Sequence, residues 1–177
     1  IKSIQNSFTD FSKVSNENDT SLSFLPWAHC YGQTCELHSA LSAGGSIAIS
    51  EGVEHLVDEL SIAKPTLLFS VPALFNKIYD GINKNMSDSI LKKLLFKRSL
   101  KVSQKIRENN GNFINNLEYN IYNKVIFSKI KEKLGGNLKF AFVGGAATPF
   151  EVLNFFENIN VPIIEGYGLT ETTPIVT

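Results

Sequence analysis

Short apolar segments alternate with helical segments along most of this sequence, and that alternation restricts the fold more than any other feature. Apolar runs typical of buried strands occupy residues 21–25, 46–49, 66–69, 138–143 and 162–164. Helical patterns occupy residues 36–43, 53–63, 72–82 and 149–158. Continuous apolar strands separated by helices predict an α/β fold, because such strands are buried on both faces. We therefore expect a three-layer domain with a mostly parallel sheet and helices on both of its faces.

The length and composition suit a single folded unit. A chain of 177 residues matches one domain, and we treat residues 1–177 as a single partial domain. The hydrophobic fraction of 43% and the charged fraction of 19% exclude a disordered or low-complexity chain. Seventeen Lys and Arg balance seventeen Asp and Glu, so the net charge gives no argument for nucleic acid as a partner.

The first residues and the cysteines indicate the setting of the chain. It begins Ile1-Lys2-Ser3, without an initiator Met or an apolar signal segment, so we expect it to be a piece of a longer protein. Its two cysteines, Cys30 and Cys35, provide no disulfide framework, which favours a reduced, cytoplasmic location. No apolar run is long enough to cross a bilayer.

Residues 87–134 interrupt the alternation with a predicted helical insert. Ser87 and Asp88 form a predicted N-cap for a first helix over residues 88–107. The sequence Asn-Asn-Gly-Asn at 109–112 breaks the pattern, and a second helix is predicted over residues 116–134.

The first helix of the insert is basic. Its positive side chains are Lys92, Lys93, Lys97, Arg98, Lys101, Lys105 and Arg107. Its apolar positions predict a stripe that faces inward, formed by Leu91, Leu94, Leu95 and Val102. This pattern favours a solvated basic face on a helix packed by its leucines. The alternative is peripheral contact of helix 88–107 with an anionic membrane surface or with phosphates.

A group of potential metal ligands near residue 30 does not have the spacing of a metal site. His29, Cys30, Cys35 and His38 lie within ten residues, but the adjacent His29 and Cys30 cannot easily face one ion. The C-x-x-C pair typical of structural zinc is missing. Neither the G-x-S-x-G elbow of hydrolases nor the G-x-x-x-x-G-K-[ST] phosphate loop occurs in these residues.

Two glycine-containing turns follow predicted strands and are the strongest candidates for a ligand site. One contains Gly144-Gly145-Ala146, and the other spans residues 165–171. Small residues at the carboxyl ends of parallel strands let the backbone approach a ligand closely. Tyr167 offers a face to a base, Thr170 can donate to a phosphate, and Glu171 can hold Mg²⁺. These residues alone are compatible with a nucleotide site and with a polar loop that binds nothing.

Four segments, taken in order, resemble one family. They are Leu-Ser-Phe-Leu-Pro-Trp-Ala-His at 22–29, Lys-Pro-Thr through Lys-Ile-Tyr at 64–79, Gly-Gly-Ala at 144–146, and Tyr-Gly-Leu-Thr-Glu-Thr-Thr-Pro at 167–174. This series resembles the adenylate-forming superfamily, which contains acyl-CoA synthetases, luciferases and nonribosomal peptide adenylation domains. The first two segments and the helical insert are most similar to long-chain fatty acyl-CoA synthetases. The resemblance identifies an internal fragment of their large N-terminal domain.

The resemblance implies an acid–thiol ligase that uses ATP and CoA as co-substrates and Mg²⁺ as cofactor. A carboxylate would attack the α-phosphate of ATP, and the thiol of CoA would then take the acyl group. The implied catalytic residues are His29, Thr170 and Glu171, with Glu171 as the metal ligand. The implied ATP- and AMP-binding residues are Gly144, Gly145, Ala146, Glu165, Gly166, Tyr167, Gly168 and Thr170. The implied acyl-binding residues are His29, Val71, Pro72 and Ala146.

Parts of the family pattern are missing from these residues. They include the phosphate loop with its lysine, the aspartate that holds the ribose, and the C-terminal domain with the catalytic lysine. We therefore expect the fragment alone to have little activity. Trp27 stands where leucine is more usual in the family. The alternatives are an adenylating enzyme for an aryl, short-chain or amino acid, or a non-catalytic α/β nucleotide-binding module.

Overall fold

The structure, a computed structural model, describes residues 15–172 and contains a five-stranded parallel sheet. The strands are β1 (Thr20–Ser23), β2 (Ser46–Ile49), β3 (Leu67–Ser70), β4 (Phe140–Val143) and β5 (Ile163–Glu165). Their spatial order is β2-β1-β3-β4-β5, and every neighbouring pair is parallel. Each predicted strand is present, with its ends within two residues of the prediction. The predicted α/β fold is therefore confirmed.

Helices follow most of the strands. They are α1 (Ser39–Ala43), α2 (Leu56–Ala63), α3 (Pro72–Met86), α4 (Ile90–Arg107), α5 (Phe113–Tyr122), α6 (Ser128–Lys133) and α7 (Phe150–Asn158). Two π-helical segments, Tyr31–His38 and Asn123–Phe127, lead directly into α1 and α6. No helix within residues 15–172 is long and apolar enough to cross a membrane.

Apolar side chains form a separate core on each face of the sheet. The larger core contains side chains from α2, α3, α6 and α7, and in it the Phe75 and Phe156 rings meet edge to face at 5.0 Å. The smaller core lies on the opposite face, where the π-helical segment contributes Cys35 beside Phe69 and Phe142. Because side chains alternate along β3, this strand supplies both cores and is buried throughout. The predicted three layers follow from this arrangement.

The helix predicted over residues 36–43 begins five residues earlier, at Tyr31, and is π-helical as far as His38. Gly32 lies in this early segment and is buried. A Cβ atom on Gly32 would lie 2.8 Å from the carbonyl oxygen of Pro26 and 3.1 Å from Cβ of Leu25. Only glycine permits this close approach of the helix to the preceding loop. In the sequence the same glycine argues against a helix, so the early start was not predicted.

The insert is helical and is interrupted at 109–112 as predicted, but its helix starts differ. The predicted N-cap at Ser87 and Asp88 is wrong, because α4 begins at Ile90 with Ser89 in the N-cap position. α5 begins at Phe113, before the predicted start at residue 116. Its start is fixed by Asn112, whose side-chain oxygen accepts the Asn115 backbone N–H at 2.9 Å.

The predicted inward stripe of the basic helix is confirmed at Val102, which is buried, but is wrong for its three leucines. Leu91, Leu94 and Leu95 are 66%, 61% and 43% exposed. The side chains of α4 that are buried are Phe96, Ser99, Val102 and Ser103. Ser103 donates a hydrogen bond from Oγ to the backbone carbonyl of Asn158 at the end of α7. Short serine side chains let α4 approach α7, so the buried face lies about a quarter turn from the leucines.

Candidate functional site

Both glycine turns leave the sheet at its carboxyl edge. The Gly144 N–H donates to the carbonyl of Ser70 at 3.2 Å, and the Gly166 N–H donates to the carbonyl of Val143 at 2.9 Å. These bonds hold the start of each turn against the neighbouring strand. A parallel sheet binds its ligands at this edge. The two turns therefore lie side by side where a ligand would be expected.

A cavity of about 470 Å³ opens between the two turns and the loop at 25–31. The predicted site residues that line it are His29, Val71, Gly144, Gly145, Gly166, Gly168, Thr170 and Glu171. The other predicted site residues lie outside its lining. Of these, Tyr167 is 62% exposed, Ala146 is exposed, and Pro72 is buried at the start of α3.

Glu165 connects the two turns. Its Oε1 atom accepts the backbone N–H of Thr148 at 2.7 Å. Thr148 belongs to the segment between Gly145 and α7, so this bond joins the end of β5 to the first turn. The family resemblance implies that Glu165 is a nucleotide-binding residue, and in the structure its carboxylate accepts a hydrogen bond from the backbone of the adjacent turn.

The inner end of the cavity is apolar. Phe69 and Phe142 come from the adjacent strands β3 and β4, and their rings are stacked with centroids 5.2 Å apart. Cys35 lies beside them and is buried. Burial raises the pKa of the Cys35 thiol to about 12, so the group stays neutral at physiological pH. This end of the cavity therefore suits an apolar ligand group.

Tyr31 forms one wall of the cavity and was not predicted as a site residue. Its hydroxyl donates to the backbone carbonyls of Phe142 at 3.2 Å and Ser70 at 3.4 Å. Its ring lies against Gly144, where an added Cβ atom would be 3.4 Å from the ring. Burial raises the pKa of Tyr31, so the hydroxyl remains a donor. An aromatic residue two positions after His29 was the available sequence signal.

His29 and Thr170 lie on two walls of the cavity that are in contact at Cys30. The Sγ atom of Cys30 is 3.8 Å from Oγ1 of Thr170, which brings the loop at 25–31 against the second turn. His29 is exposed, and its Nδ1 atom accepts the backbone N–H of Tyr31 at 3.2 Å. The structure thus brings together the three predicted catalytic positions, of which His29 lies about 140 residues before Thr170 and Glu171.

Glu171 is the residue that could hold a metal ion. It lies in the short 3₁₀ helix Thr170–Thr172 and lines the cavity next to the Thr170 hydroxyl. Within residues 15–172, no three His, Cys, Asp or Glu side chains are grouped as a metal site. One carboxylate fits Mg²⁺, because protein Mg²⁺ sites commonly use one or two carboxylates and complete the shell with substrate phosphates and water.

A buried carboxyl group supports the loop that carries His29. Glu36 has 0% exposure, and its Oε2 atom accepts the Ser23 hydroxyl at 2.6 Å. Ser23 Oγ in turn accepts the indole N–H of Trp27 at 3.0 Å. Burial raises the pKa of Glu36 to about 7, and the nearby Ser23 and Trp27 donors partly oppose that shift. Trp27 is therefore directed towards Ser23 and is not part of the cavity lining.

These features define an α/β domain with a ligand cavity at the carboxyl edge of a parallel sheet. The model of the family described as "AMP-binding enzyme" matches residues 2–177. The chain belongs to this family of adenylate-forming enzymes.

Two curated relatives show which members are similar. Long chain acyl-CoA synthetase 7, peroxisomal, of Arabidopsis thaliana is 33% identical over 162 residues, which are 90% of this chain and 22% of the relative. Long-chain-fatty-acid–CoA ligase 5 of Rattus norvegicus is 34% identical over 157 residues, 88% of this chain and 22% of the relative. The chain therefore spans under a quarter of the length of these relatives.

Solved structures share the fold at lower identity. The A domain of carboxylic acid reductase from Segniliparus rugosus, solved with AMP and a co-purified carboxylic acid, gives a TM-score of 0.59 at 24% identity. That match covers 89% of this chain and 22% of the reductase chain. A benzoate CoA ligase from Burkholderia xenovorans gives a TM-score of 0.51 at 20% identity, covering 90% of this chain and 24% of the ligase chain. These similarities support the fold alone.

Proposed function

We propose that the whole protein is an ATP-dependent long-chain fatty acid–CoA ligase. A carboxylate oxygen of the fatty acid attacks the α-phosphorus of ATP, a P–O bond forms, and the bond to pyrophosphate breaks. The thiol of CoA then loses its proton and attacks the acyl carbonyl, which forms the thioester and releases AMP. The observation that carries the proposal is a cavity with an apolar inner end at Phe69 and Phe142 and an exposed polar end at Thr170 and Glu171.

The polar end suits the phosphoryl chemistry. In this proposal, Thr170 donates to an α-phosphate oxygen, and Glu171 holds Mg²⁺ near the phosphates. Bound Mg²⁺ would neutralise charge that accumulates on the phosphate oxygens during the displacement. His29 lies beside the fatty acid carboxylate and orients it for attack. Tyr167 packs on adenine, with the backbone of residues 144–146, Glu165, Gly166 and Gly168 forming the rest of the nucleotide side.

The apolar end suits an alkyl chain. Phe69, Phe142 and the neutral Cys35 thiol offer no charge and little hydrogen bonding to a ligand that packs against them. Burial of each methylene group there would contribute about 0.8 kcal/mol to binding. Val71 borders this space in the proposal, and Pro72 and Ala146 extend the wall beyond the cavity observed here.

Another carboxylic acid is the nearest competing substrate class. A benzoate CoA ligase is among the solved structures that share this fold, and stacked phenylalanines would also accept an aryl ring. The remaining alternative is a module that binds a nucleotide without catalysis.

Acid-dependent exchange of labelled pyrophosphate into ATP by the full-length protein separates these candidates. The acids to compare are palmitate, benzoate, acetate and a neutral amino acid, each with Mg²⁺ and without CoA. We expect palmitate to give the highest exchange rate, and thioester to appear once CoA is added. A preference for benzoate, acetate or the amino acid would replace the fatty acid assignment. Nucleotide binding without exchange for any acid would support the non-catalytic module.

A further inference from the structure

The helical insert exposes apolar side chains that the proposed reaction does not use. On α5 they repeat every four residues into the following π-helical segment and are 84%, 57%, 55% and 53% exposed: Phe113, Leu117, Ile121 and Val125. On α4 the exposed apolar side chains include Leu91, Leu94 and Leu95. An apolar stripe on the outer face of a helix usually marks a contact surface.

α4 and α5 present these side chains together. The two helices are neighbours connected by the short segment at 108–112 and so run in opposite directions, and an ion pair of 2.5 Å between Arg98 and Glu118 shows which residues lie opposite each other. Because the helices run in opposite directions, residues that precede Arg98 on α4 lie opposite residues that follow Glu118 on α5. This register places Leu94 and Leu95 at the level of Ile121 along the pair of helices.

The insert is strongly basic although the whole chain is neutral. Residues 87–134 contain eleven of the seventeen Lys and Arg but four of the seventeen Asp and Glu. The rest of the chain therefore has six basic residues and thirteen acidic ones. The two arginines of the insert are paired with Glu118 and Glu157. Among the described residues, no carboxylate forms an ion pair with Lys92, Lys93, Lys97, Lys101, Lys105 or Lys124.

The exposed apolar residues and the lysines of these helices together form what we call the insert surface. Its members are Leu91, Leu94, Leu95, Phe113, Leu117, Ile121 and Val125 with Lys93, Lys97, Lys101 and Lys124. We propose that the insert surface docks on an anionic lipid bilayer. The apolar side chains would enter the boundary between headgroups and acyl chains, and the lysines would extend to lipid phosphates. This proposal goes beyond the proposed reaction, because none of the steps above requires it.

Charge selects this surface over another exposed apolar region. On α2, Val57 and Ile62 are 40% and 79% exposed, but Asp58 and Glu59 lie between them. An anionic bilayer repels those carboxylates and attracts the unpaired lysines of the insert. The two regions therefore predict opposite responses to lipid charge.

Co-sedimentation of the full-length protein with vesicles tests the proposal. The vesicles contain phosphatidylcholine alone or phosphatidylcholine with phosphatidylserine, at low and at physiological salt. We expect binding to the phosphatidylserine vesicles and weaker binding as salt screens the lysines. Absence of binding, or binding that is indifferent to lipid charge and salt, would overturn the proposal.

Matched variants locate the binding surface. The triple change Lys93→Gln, Lys97→Gln and Lys101→Gln should weaken binding by about 100-fold, or roughly five-fold per lysine. The control Lys77→Gln with Lys84→Gln removes exposed lysines from α3 and should retain most of the binding. Equal losses per lysine in the two variants would show that net charge, and not the insert surface, controls binding.

A second pair of variants tests the apolar side chains of the insert surface. Leu117→Ser with Ile121→Ser should weaken binding at least ten-fold, whereas Val57→Ser with Ile62→Ser on α2 should not. Circular dichroism verifies that each variant is folded, and light scattering reports its oligomeric state. Unchanged vesicle binding by the Leu117 and Ile121 variant would overturn the proposal. A wild-type dimer that this variant disrupts, without vesicle binding, would show that a second copy occupies the surface.

Discussion

The cavity at the sheet edge and the insert surface are built in opposite ways. Backbone atoms define much of the cavity, through the bonds of Gly144 and Gly166 to neighbouring strands and the anchoring of Tyr31 on two carbonyls. The insert surface consists of protruding side chains on helices that pack against the larger core with other residues, Phe96 on α4 and the partly buried Tyr119 and Tyr122 on α5. Loss of an anchoring side chain such as Tyr31 therefore disturbs the shape of the cavity, whereas a change at the insert surface alters charge and apolarity without disturbing the core.

The largest expected effect separates the two faces of α4. Phe96 is 4% exposed and packs its ring against Phe155, so Phe96→Ala should lower the free energy of unfolding by about 3–5 kcal/mol. Leu94→Ala, on the exposed face of the same helix, should change it by less than about 0.5 kcal/mol. Urea denaturation measures both. Similar losses for the two variants would mean that the leucines are packed after all.

The next effect tests the polar end of the cavity. Glu171→Gln keeps the shape of the side chain but removes its charge, so it should slow pyrophosphate exchange about 100-fold or more. Glu151→Gln changes an exposed carboxylate at the start of α7 and serves as the control. Exchange at the wild-type rate in the Glu171 variant would exclude the proposed metal role. Vesicle binding should be the same for both variants.

Glu36 should make stability depend on pH. Burial raises its pKa to about 7 from the ordinary value of 4.5, so between these values the folded chain holds a proton that the unfolded chain has lost. The free energy of unfolding should therefore decrease as the pH rises from about 4.5 to 7, by about 3 kcal/mol in total, and this contribution should level off above pH 7. Glu36→Gln should remove this slope, and Glu151→Gln should keep it. Urea titrations at several pH values would reveal an unchanged slope in Glu36→Gln, which would contradict the assignment.

The smallest expected effects compare two glycines. Gly32→Ala would place Cβ against the Pro26 carbonyl and shift the loop that carries His29, with a loss of about 1–3 kcal/mol in unfolding free energy. Gly81 lies within α3 with nothing within 4 Å of an added Cβ atom, so Gly81→Ala should stabilise the protein by about 0.5–1 kcal/mol. Thermal denaturation should move in opposite directions for the two changes, and a shift in the same direction would contradict the close packing at Gly32.

Local patterns in the sequence determined the strands, the break at 109–112 and the positions of both glycine turns. A buried parallel strand needs a continuous apolar run, and a tight turn at its end needs small residues, so both leave a signal within a few neighbouring positions. Those signals also placed Gly144, Gly166, Thr170 and Glu171 at one sheet edge, because parallel strands end on the same side.

Only the tertiary structure decided which side chains face each other. The leucines of α4 have suitable spacing for a core, yet the approach of Ser103 to α7 turns a different face inward. The charge of Glu36 favours a surface position, yet its side chain is fully buried and accepts a hydrogen bond from Ser23 on β1. Tyr31 becomes a cavity wall through carbonyls that lie 39 and 111 residues away. Helix orientation, burial of a charge and long-range hydrogen bonds depend on partners distant in sequence, and no local pattern contains them.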